Sequence, residues 1–405
     1  MNHEASDSST TRVVKLLTFW QEGFFGLLGF TLQMIMILVF GYSLAVFSPI
    51  NRVLTRIGSQ PRNLTDGTFF TASITLIAGI LNWGFGLIIG AIMARITHES
   101  LVSKGVNSNS ALLATAGYLG MAIWHGGFSA SAPLTVAGNG HFLEGTIGLI
   151  PVNETLFSTF NLLISGGLAL VFLITITLLS LIVPTSKDSL ISIPLEPVEG
   201  GKNGYLARSI GLFMMLVLIL GMVWDENADL GMISLNWVNF FLFAMVLIAY
   251  KTWDKFSQAV SQGLKTSTDI LIQFPFYAGI LGILSSSGTL FELSNLIQSQ
   301  ISKEFFPLIT FFSTAFINFL VPSGGGQWAI QGPVIMETAA KWKMDYAKLV
   351  MIFSYGDQIS NLLQPFWALP LLSITGVPVR KLLPYCAVLF FSGFVFLTLA
   401  IWILY

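Results

Sequence analysis

Two ionisable side chains lie inside stretches that are otherwise apolar, a setting in which such groups are costly and usually functional. Asp357 lies in "FSYGDQISNLLQPFWALP" (353–370), and His125 begins "HGGFSAS" (125–131). A carboxylate there can exchange a coupling proton or Na⁺, which we favour, or it can stabilise a helix break by pairing with amides. His125 can contact a carboxylate or relay a proton, or it can be a hydrogen-bonded structural group.

A third stretch, "NFLVPSGGGQWAIQGPV" (318–334), combines three glycines with several polar side chains. Irregular backbone at membrane depth survives only where protein buries it or where it lines a water-filled cavity. Glycines leave backbone amides accessible, and a helix beginning at Gln327 would point its free N–H groups and positive dipole end at an anion. The stretch therefore predicts a hairpin tip or helix break that holds a small polar or anionic solute.

The upstream segment "NWGFG" (82–86) is the counterpart of this glycine run, although its glycines are also explained by close helix packing. A nucleotide-binding P-loop is excluded because no Lys-Ser or Lys-Thr follows the glycines. The chain has no HExxH or GxSxG motif, so we predict that it is not an enzyme. An anion channel stays open as an alternative, but such pores are often lined by basic rings, and basic residues are scarce in these apolar segments.

The composition of the chain indicates which kind of structure holds these residues in place. Of 405 residues, 54% are hydrophobic and only 10% are charged, against roughly 25% in soluble domains. Many apolar runs approach or exceed the roughly 20 residues that cross a bilayer, so the chain is predicted to be an all-α polytopic membrane protein. The net charge of −1 and scattered basic residues argue against nucleic-acid binding. The single cysteine, Cys386, excludes disulfides, and we expect no metal site or cofactor apart from a coupling ion.

The chain also shows an internal similarity. Tyr118 and Pro133 recur as Tyr355 and Pro370 with the same spacing. The acidic loop at 225–229 lacks basic residues, whereas 187–208 and 251–265 are basic, so the loop is predicted to face outward and its flanks the cytoplasm. The opening helices at 24–47 and 269–290 then run in opposite directions, as in the inverted repeats of secondary transporters. Chance similarity is the alternative.

These patterns predict four regions. Residues 1–14 are expected to be a disordered tail, residues 15–185 a first transmembrane repeat, residues 186–254 a connecting segment with two transmembrane helices, and residues 255–405 a second, inverted repeat.

Several long motifs in one order make the family recognisable. They are "LNWGFGLIIGA" (81–91), "GGFSASAPL" (126–134), "GLIPVNETLFSTFN" (148–161), "QFPFYAGI" (273–280), "INFLVPSGGGQWAIQGP" (317–333) and "QPFWALPLL" (364–372). With them the chain resembles bacterial short-chain fatty acid transporters, which include acetoacetate and butyrate permeases. The resemblance spans roughly residues 15–405.

The resemblance implies an elevator-type carrier in the bacterial cytoplasmic (inner) membrane, built from two inverted repeats with re-entrant hairpins and broken helices. It implies a short-chain carboxylate as substrate, the lipid bilayer as surroundings and a homodimer by superfamily analogy. A di- or tricarboxylate or amino-acid-like substrate is an alternative. The chain departs from the usual pattern at Gln327, Asp357 and His125, where relatives often have His, Glu and Gly.

The candidate site combines the two hairpin tips and the two breaks. Asp357 is the candidate for ion coupling. The candidates for substrate binding are Asn82, Gly84, Gly86, His125, Gly126, Gly127, Ser129, Ser131, Asn318, Ser323, Gly324, Gly325, Gly326, Gln327, Asn361, Gln364 and Trp367.

Overall fold

The protein is described by a computed structural model covering residues 9–26, 28–185, 197–202, 204–224, 235–265, 267–289, 292 and 302–405. Residues 1–8 of the predicted tail, much of the connecting segment's first part and the acidic loop at 225–229 lie outside the described residues. The described part is helical, with an isolated β-bridge between Phe47 and Val198, which confirms the all-α prediction.

The described helices follow one another along the chain. Their bounds are α1 Ser9–Gly26, α2 Leu28–Val46, α3 Ser48–Gly58, α4 Leu64–Leu81, α5 Trp83–Ser103, α6 Ser110–Tyr118, α7 Ser131–Ala137, α8 Glu144–Ile147, α9 Thr159–Ile182, α10 Leu206–Trp224, α11 Leu235–Tyr250, α12 Trp253–Leu264, α13 Thr268–Ser286, α14 Phe306–Asn318, α15 Gly324–Trp342, α16 Tyr346–Ser360, α17 Pro365–Thr375 and α18 Val379–Leu404.

Several of these helices are long and apolar enough to cross a membrane. Within the described residues there are six such spans: Thr11–Val46, Leu64–Leu81, Trp83–Ser103, Thr159–Ile182, Leu206–Trp224 and Val379–Leu404. Shorter apolar helices add to them, so the chain is a multi-pass membrane protein.

The predicted boundaries at the two repeat starts need correction. Helix α1 begins at Ser9, so residues 9–14 are helical and do not belong to a disordered tail. Val13 and Val14 extend the apolar pattern into this segment, and neither glycine nor proline interrupts it. The predicted helix at 269–290 is α13, Thr268–Ser286.

Two hairpins and two interrupted helices surround the centre of the molecule. Helices α4 and α5 form the first hairpin, with its tip at Asn82, and α14 and α15 form the second, with its tip at 319–323. Between α6 and α7 the chain forms 3₁₀ turns at Leu119–Ala122 and Trp124–Gly126, which we call the first break. Between α16 and α17 it forms one 3₁₀ turn at Asn361–Leu363, the second break.

The apolar interior falls into two main clusters. The larger cluster contains side chains of both hairpins, both broken helices, α9 and α18, and it includes the buried thiol of Cys386. The smaller cluster joins α2 to α10, α11 and α12, where Phe40 stacks on Phe243 and the hydroxyl of Tyr250 donates to the carbonyl of Ser43. An apolar cavity of about 170 Å³ lies between α5 on one side and α2, α3 and α11 on the other.

Helices α1 and α13 pack against each other through glycines. A Cβ atom at Gly23 would lie 2.6 Å from the Cα of Gly282, so neither helix tolerates a side chain at this crossing. Trp20 lies against Gly279 and Phe24 lies against Phe276.

Candidate functional site

The second hairpin tip presents the start of a helix to the protein interior. Ser323 is the N-cap of α15, and its hydroxyl accepts a hydrogen bond from the amide of Gly326. The helix therefore begins at Gly324, three residues before the predicted start at Gln327, because the serine cap satisfies the first turn. The amide of Gln327 donates to the carbonyl of Ser323.

Two amides at this helix start have no protein acceptor. Within the described part of the chain, the N–H groups of Gly324 and Gly325 make no hydrogen bond. The first amides of a helix carry its partial positive charge, and they form an anion site when they are accessible. Of the predicted amide donors between Gly324 and Gln327, these two are the ones available to a ligand.

His125 and Asp357 meet beside this helix start. The Nε2 atom of His125 lies 3.0 Å from Oδ1 of Asp357, and both side chains are buried. A Cβ atom at Gly324 would lie 2.6 Å from the same Nε2 and 3.0 Å from the hydroxyl of Ser131. Both breaks and the second hairpin tip thus converge at one point, which we call the His125–Asp357 pair.

The hydrogen bonds of His125 indicate which tautomer a neutral ring adopts. The amide of Ser131 donates to Nδ1 of His125 over 3.3 Å, so Nδ1 must carry a lone pair. The proton of a neutral ring then lies on Nε2, which donates it to the carboxylate of Asp357. In this arrangement the pair carries one net negative charge. The second carboxylate oxygen, Oδ2, is buried with no hydrogen-bond partner among the described residues.

Side-chain amides hold the second break. The Nδ2 group of Asn318 lies 2.8 Å from the carbonyl of Asp357 and 3.0 Å from Oδ1 of Asn361. Gln364 donates from Nε2 to the carbonyl of Asn318, and Asn361 donates from Nδ2 to the carbonyl of Met121. These contacts replace the backbone pairing lost where the helix stops, as burial of irregular backbone requires.

The first break is held from outside by other helices. The backbone amide of His125 donates to Oε1 of Gln358, and Nδ2 of Asn161 donates to the carbonyl of Gly126. A Cβ atom at Gly126 would lie 2.2 Å from the hydroxyl of Ser165, and one at Gly127 would lie 2.1 Å from the carbonyl of Ile80. These glycines allow the break to pack directly against α9 and α4.

The first hairpin tip is closed by its own contacts. Asn82 caps α5 by accepting from the amide of Phe85, and the hydroxyl of Ser129 accepts from the amide of Trp83 over 3.0 Å. A Cβ atom would lie 2.2 Å from Ile37 if placed at Gly84 and 2.6 Å from Gly79 if placed at Gly86. Close packing accounts for both glycines, and their role in substrate binding stays a prediction.

The structure thus divides the predicted residues into groups. His125, Ser131, Gly324 and Asp357 meet at one point, with Asn318, Asn361 and Gln364 behind them. Gln327 lies apart, because its Nε2 group donates to the carbonyl of Thr314 and to Oε1 of Gln331. Trp367 packs edge-on against Trp83 with ring centroids 5.5 Å apart.

Sequence reasoning missed two residues that hold the site together. Gln358 follows Asp357 directly but was not singled out, although it accepts from the backbone of His125. The Oδ1 atom of Asn161 accepts a hydrogen bond from the hydroxyl of Tyr355, while its Nδ2 group donates to the carbonyl of Gly126 in the first break. Its position in "FSTFN" (157–161) was the available signal, because that polar stretch opens a long apolar helix.

A family model decides what kind of protein carries this site. The model described as "Short chain fatty acid transporter" matches residues 7–404, nearly the whole chain. The chain belongs to the short-chain fatty acid transporter family. Membership confirms the predicted resemblance, and it makes the chain a transporter and not an enzyme.

Curated relatives agree with this assignment. A protein of Escherichia coli K12 is 36% identical over 400 residues, covering 95% of this chain and 89% of its own length. One of Haemophilus influenzae Rd is 34% identical over 399 residues, covering 92% and 86%. Both are named "Putative short-chain fatty acid transporter".

Among solved structures, the crystal structure of the Alcanivorax borkumensis YdaH transporter covers 98% of this transporter and 92% of its own chain. The identity is 12% and the TM-score is 0.43, which is too low to establish a shared topology.

Proposed function

We propose that the chain is a secondary active transporter of small monocarboxylates such as butyrate or acetoacetate, coupled to a proton or Na⁺ through Asp357. The observation that carries this proposal is the convergence of two open helix amides, at Gly324 and Gly325, with the buried His125–Asp357 pair. The amides supply donors for a carboxylate, and the pair supplies a charge that can be neutralised reversibly.

Aromatic rings next to this point suit a short alkyl tail. The ring of Trp124 lies 3.6 Å from that of His125, and Trp83 lies 6.1 Å from Trp124 and 5.5 Å from Trp367, measured between ring centroids. These rings offer apolar contact beside polar donors, which is the usual composition of a small-ligand site. Two further aromatic side chains, Phe128 and Trp328, pack against Phe157 and Phe353 instead.

Movement of one part of the molecule against the other would give alternating access. One feature supports an elevator of two inverted repeats: the separation of the apolar interior into two main clusters. The cluster with both hairpins would carry the substrate, and the cluster of α2, α10, α11 and α12 would belong to the scaffold. The cavity between α5 and the scaffold helices supports a loosely packed sliding surface.

The cell context in this proposal is the bacterial inner membrane, where the protein would work as a homodimer by analogy with its superfamily. Both statements follow from the family resemblance.

The test is uptake of labelled butyrate and acetoacetate into proteoliposomes under separately imposed pH and Na⁺ gradients. Protein-free vesicles correct for diffusion of the protonated acids. We expect saturable, gradient-driven accumulation that Asp357→Asn abolishes and that Asp254→Asn, at an exposed position on α12, leaves unchanged. Saturable uptake of dicarboxylates alone would change the substrate class, and non-saturable downhill flux would indicate a channel.

A further inference from the structure

We propose that, within the His125–Asp357 pair, the coupling proton binds to the ring of His125 while Asp357 balances its charge, and that this protonation builds the carboxylate site and makes transport an electroneutral symport of one proton with one monocarboxylate. The inference rests on the proposed function and deepens it, because it selects the proton as coupling ion and names the atom that takes it up.

The starting point is the acceptor role of Nδ1. In the structure the amide of Ser131 donates to Nδ1, while Nε2 donates to Asp357. A proton added to the pair enters at Nδ1, because Nε2 already carries one. Nδ1 then becomes a donor that faces another donor, the amide of Ser131. The two N–H groups need acceptors, since a buried donor without a partner destabilises the protein.

A carboxylate satisfies both groups at once. One of its oxygens accepts from Nδ1–H and the other from the amide of Ser131, in the bidentate manner that favours carboxylates. The helix start lies at the same place, since a Cβ atom at Gly324 would lie 3.0 Å from the Ser131 hydroxyl. Asp357 keeps its hydrogen bond to Nε2 throughout and balances the charge of the protonated ring.

The groups around His125 support a single titrating unit. Against the ring lie Asp357 from α16, Gly324 from α15, Ser131 from α7 and the neighbouring ring of Trp124, while Gln358 accepts from the backbone amide of His125. Among these contacts, Asp357 is the titratable partner, and the positive end of the α15 dipole lies beside the ring.

Charge counting gives the stoichiometry. The unloaded pair has a net charge of −1, the added proton brings it to zero, and the carboxylate returns it to −1. The loaded and unloaded transporter therefore carry the same charge when they cross, and one turnover moves no net charge. Uptake is driven by the pH gradient and is insensitive to membrane potential.

The decisive experiment measures protons taken up on binding. Purified full-length protein in detergent is titrated with butyrate by calorimetry at pH 8, in buffers with different ionisation enthalpies and without Na⁺. The slope of binding enthalpy against buffer enthalpy gives the number of protons, and we expect one per butyrate. Affinity is expected to fall about tenfold per pH unit above the midpoint, because binding and protonation are linked.

Variants of His125 and Ser131 test whether these residues take part in proton uptake and carboxylate binding or have only a structural role. His125→Gln has a fixed donor and acceptor, so its slope should be zero, whereas His141→Gln, in the loop before α8, should behave as wild type. Ser131→Pro removes the amide donor at the first position of α7, where proline is tolerated, and Ser131→Ala keeps it. We expect Ser131→Pro to weaken binding at least tenfold and Ser131→Ala, which loses only the hydroxyl, to weaken it by a clearly smaller factor.

Each result decides the matter. Butyrate binding without proton uptake, proton uptake that persists in His125→Gln, or binding that requires Na⁺ would overturn the inference and leave the proposed transporter in place. If His125→Gln does not fold, the Ser131 pair and the insensitivity of wild-type uptake to a valinomycin-imposed potential decide instead. Failure of folded wild-type protein to bind or transport either acid would overturn the proposed function itself.

Discussion

The two hairpin tips start from similar sequence but end in different states. At the first tip, the amides of Trp83 and Phe85 are bonded to Ser129 and Asn82, and its glycines are filled by neighbours. At the second tip, the amides of Gly324 and Gly325 have no acceptor in the described structure, and a Cβ atom at Gly325 would meet nothing within 4 Å. The difference indicates that one tip is a packing element and the other is available to a ligand.

Similar sequence therefore need not give the two tips the same groups to offer to a ligand. Both tips are capped helix starts with helix dipoles, so their electrostatic potential to bind an anion is similar. What separates them is the first amide of the helix, which donates to Ser129 at the first tip and has no acceptor among the described residues at the second tip. The His125–Asp357 pair lies at the tip whose amides are open, which places charge and donors together.

The largest expected effect comes from filling the second tip. Gly324→Ala places a methyl group against His125 and should lower butyrate uptake about 10- to 100-fold, since overpacking costs about 1–3 kcal/mol. Gly325→Ala, one residue further into open space, should stay within about twofold. Uptake into proteoliposomes measures both. Equal losses in the two variants would mean that the tip is sensitive as a whole and that contact with His125 is unimportant.

A second prediction compares the polar residues behind the tips. Asn318→Ala leaves the acceptors of the second break unpaired and should destabilise the protein by about 1–3 kcal/mol. Asn82→Ala removes one cap bond and should cost about 1 kcal/mol. Thermal unfolding in detergent measures both variants. A larger loss at Asn82 would show that the first tip, and not the second, is the more constrained.

The smallest expected effect concerns the bond that closes the first tip. Ser129→Ala removes the acceptor of the Trp83 amide and should cost about 1 kcal/mol of stability, with uptake changed about twofold or less. Ser323→Ala removes the cap of α15 at a similar cost in stability. It should also reduce butyrate affinity, because the open amides of Gly324 and Gly325 lose their alignment. Matching losses of affinity in both variants would remove the functional distinction between the tips.

Some of this was predictable from the sequence. The apolar runs, the helical class, the interruption at 318–334 and the burial of Asp357 and His125 follow from the cost of polar groups in lipid, while the functional roles of these two residues stay predictions. The start of α15 at Gly324 was also within reach, since a serine before a helix is a strong cap and Ser323 stands there.

Other features could not be predicted from one chain. The contact between His125 and Asp357 joins residues 232 positions apart, and neither local spacing nor periodicity encodes it. The two tips differ in whether the first amide of the helix is bonded. At the first tip this bond depends on Ser129, which lies outside the hairpin and accepts from the amide of Trp83. Tertiary partners such as these decide which amides stay open.

The lone cysteine has a practical consequence. Cys386 is fully buried on α18, so thiol reagents added to the folded protein will label it slowly. A cysteine introduced at Gly325 would sit in open space at a helix start, where the dipole favours the reactive thiolate. Its labelling rate by membrane-impermeant maleimides, added from either side of a vesicle, would report which side the second tip faces, and butyrate should slow that labelling by occupying the tip.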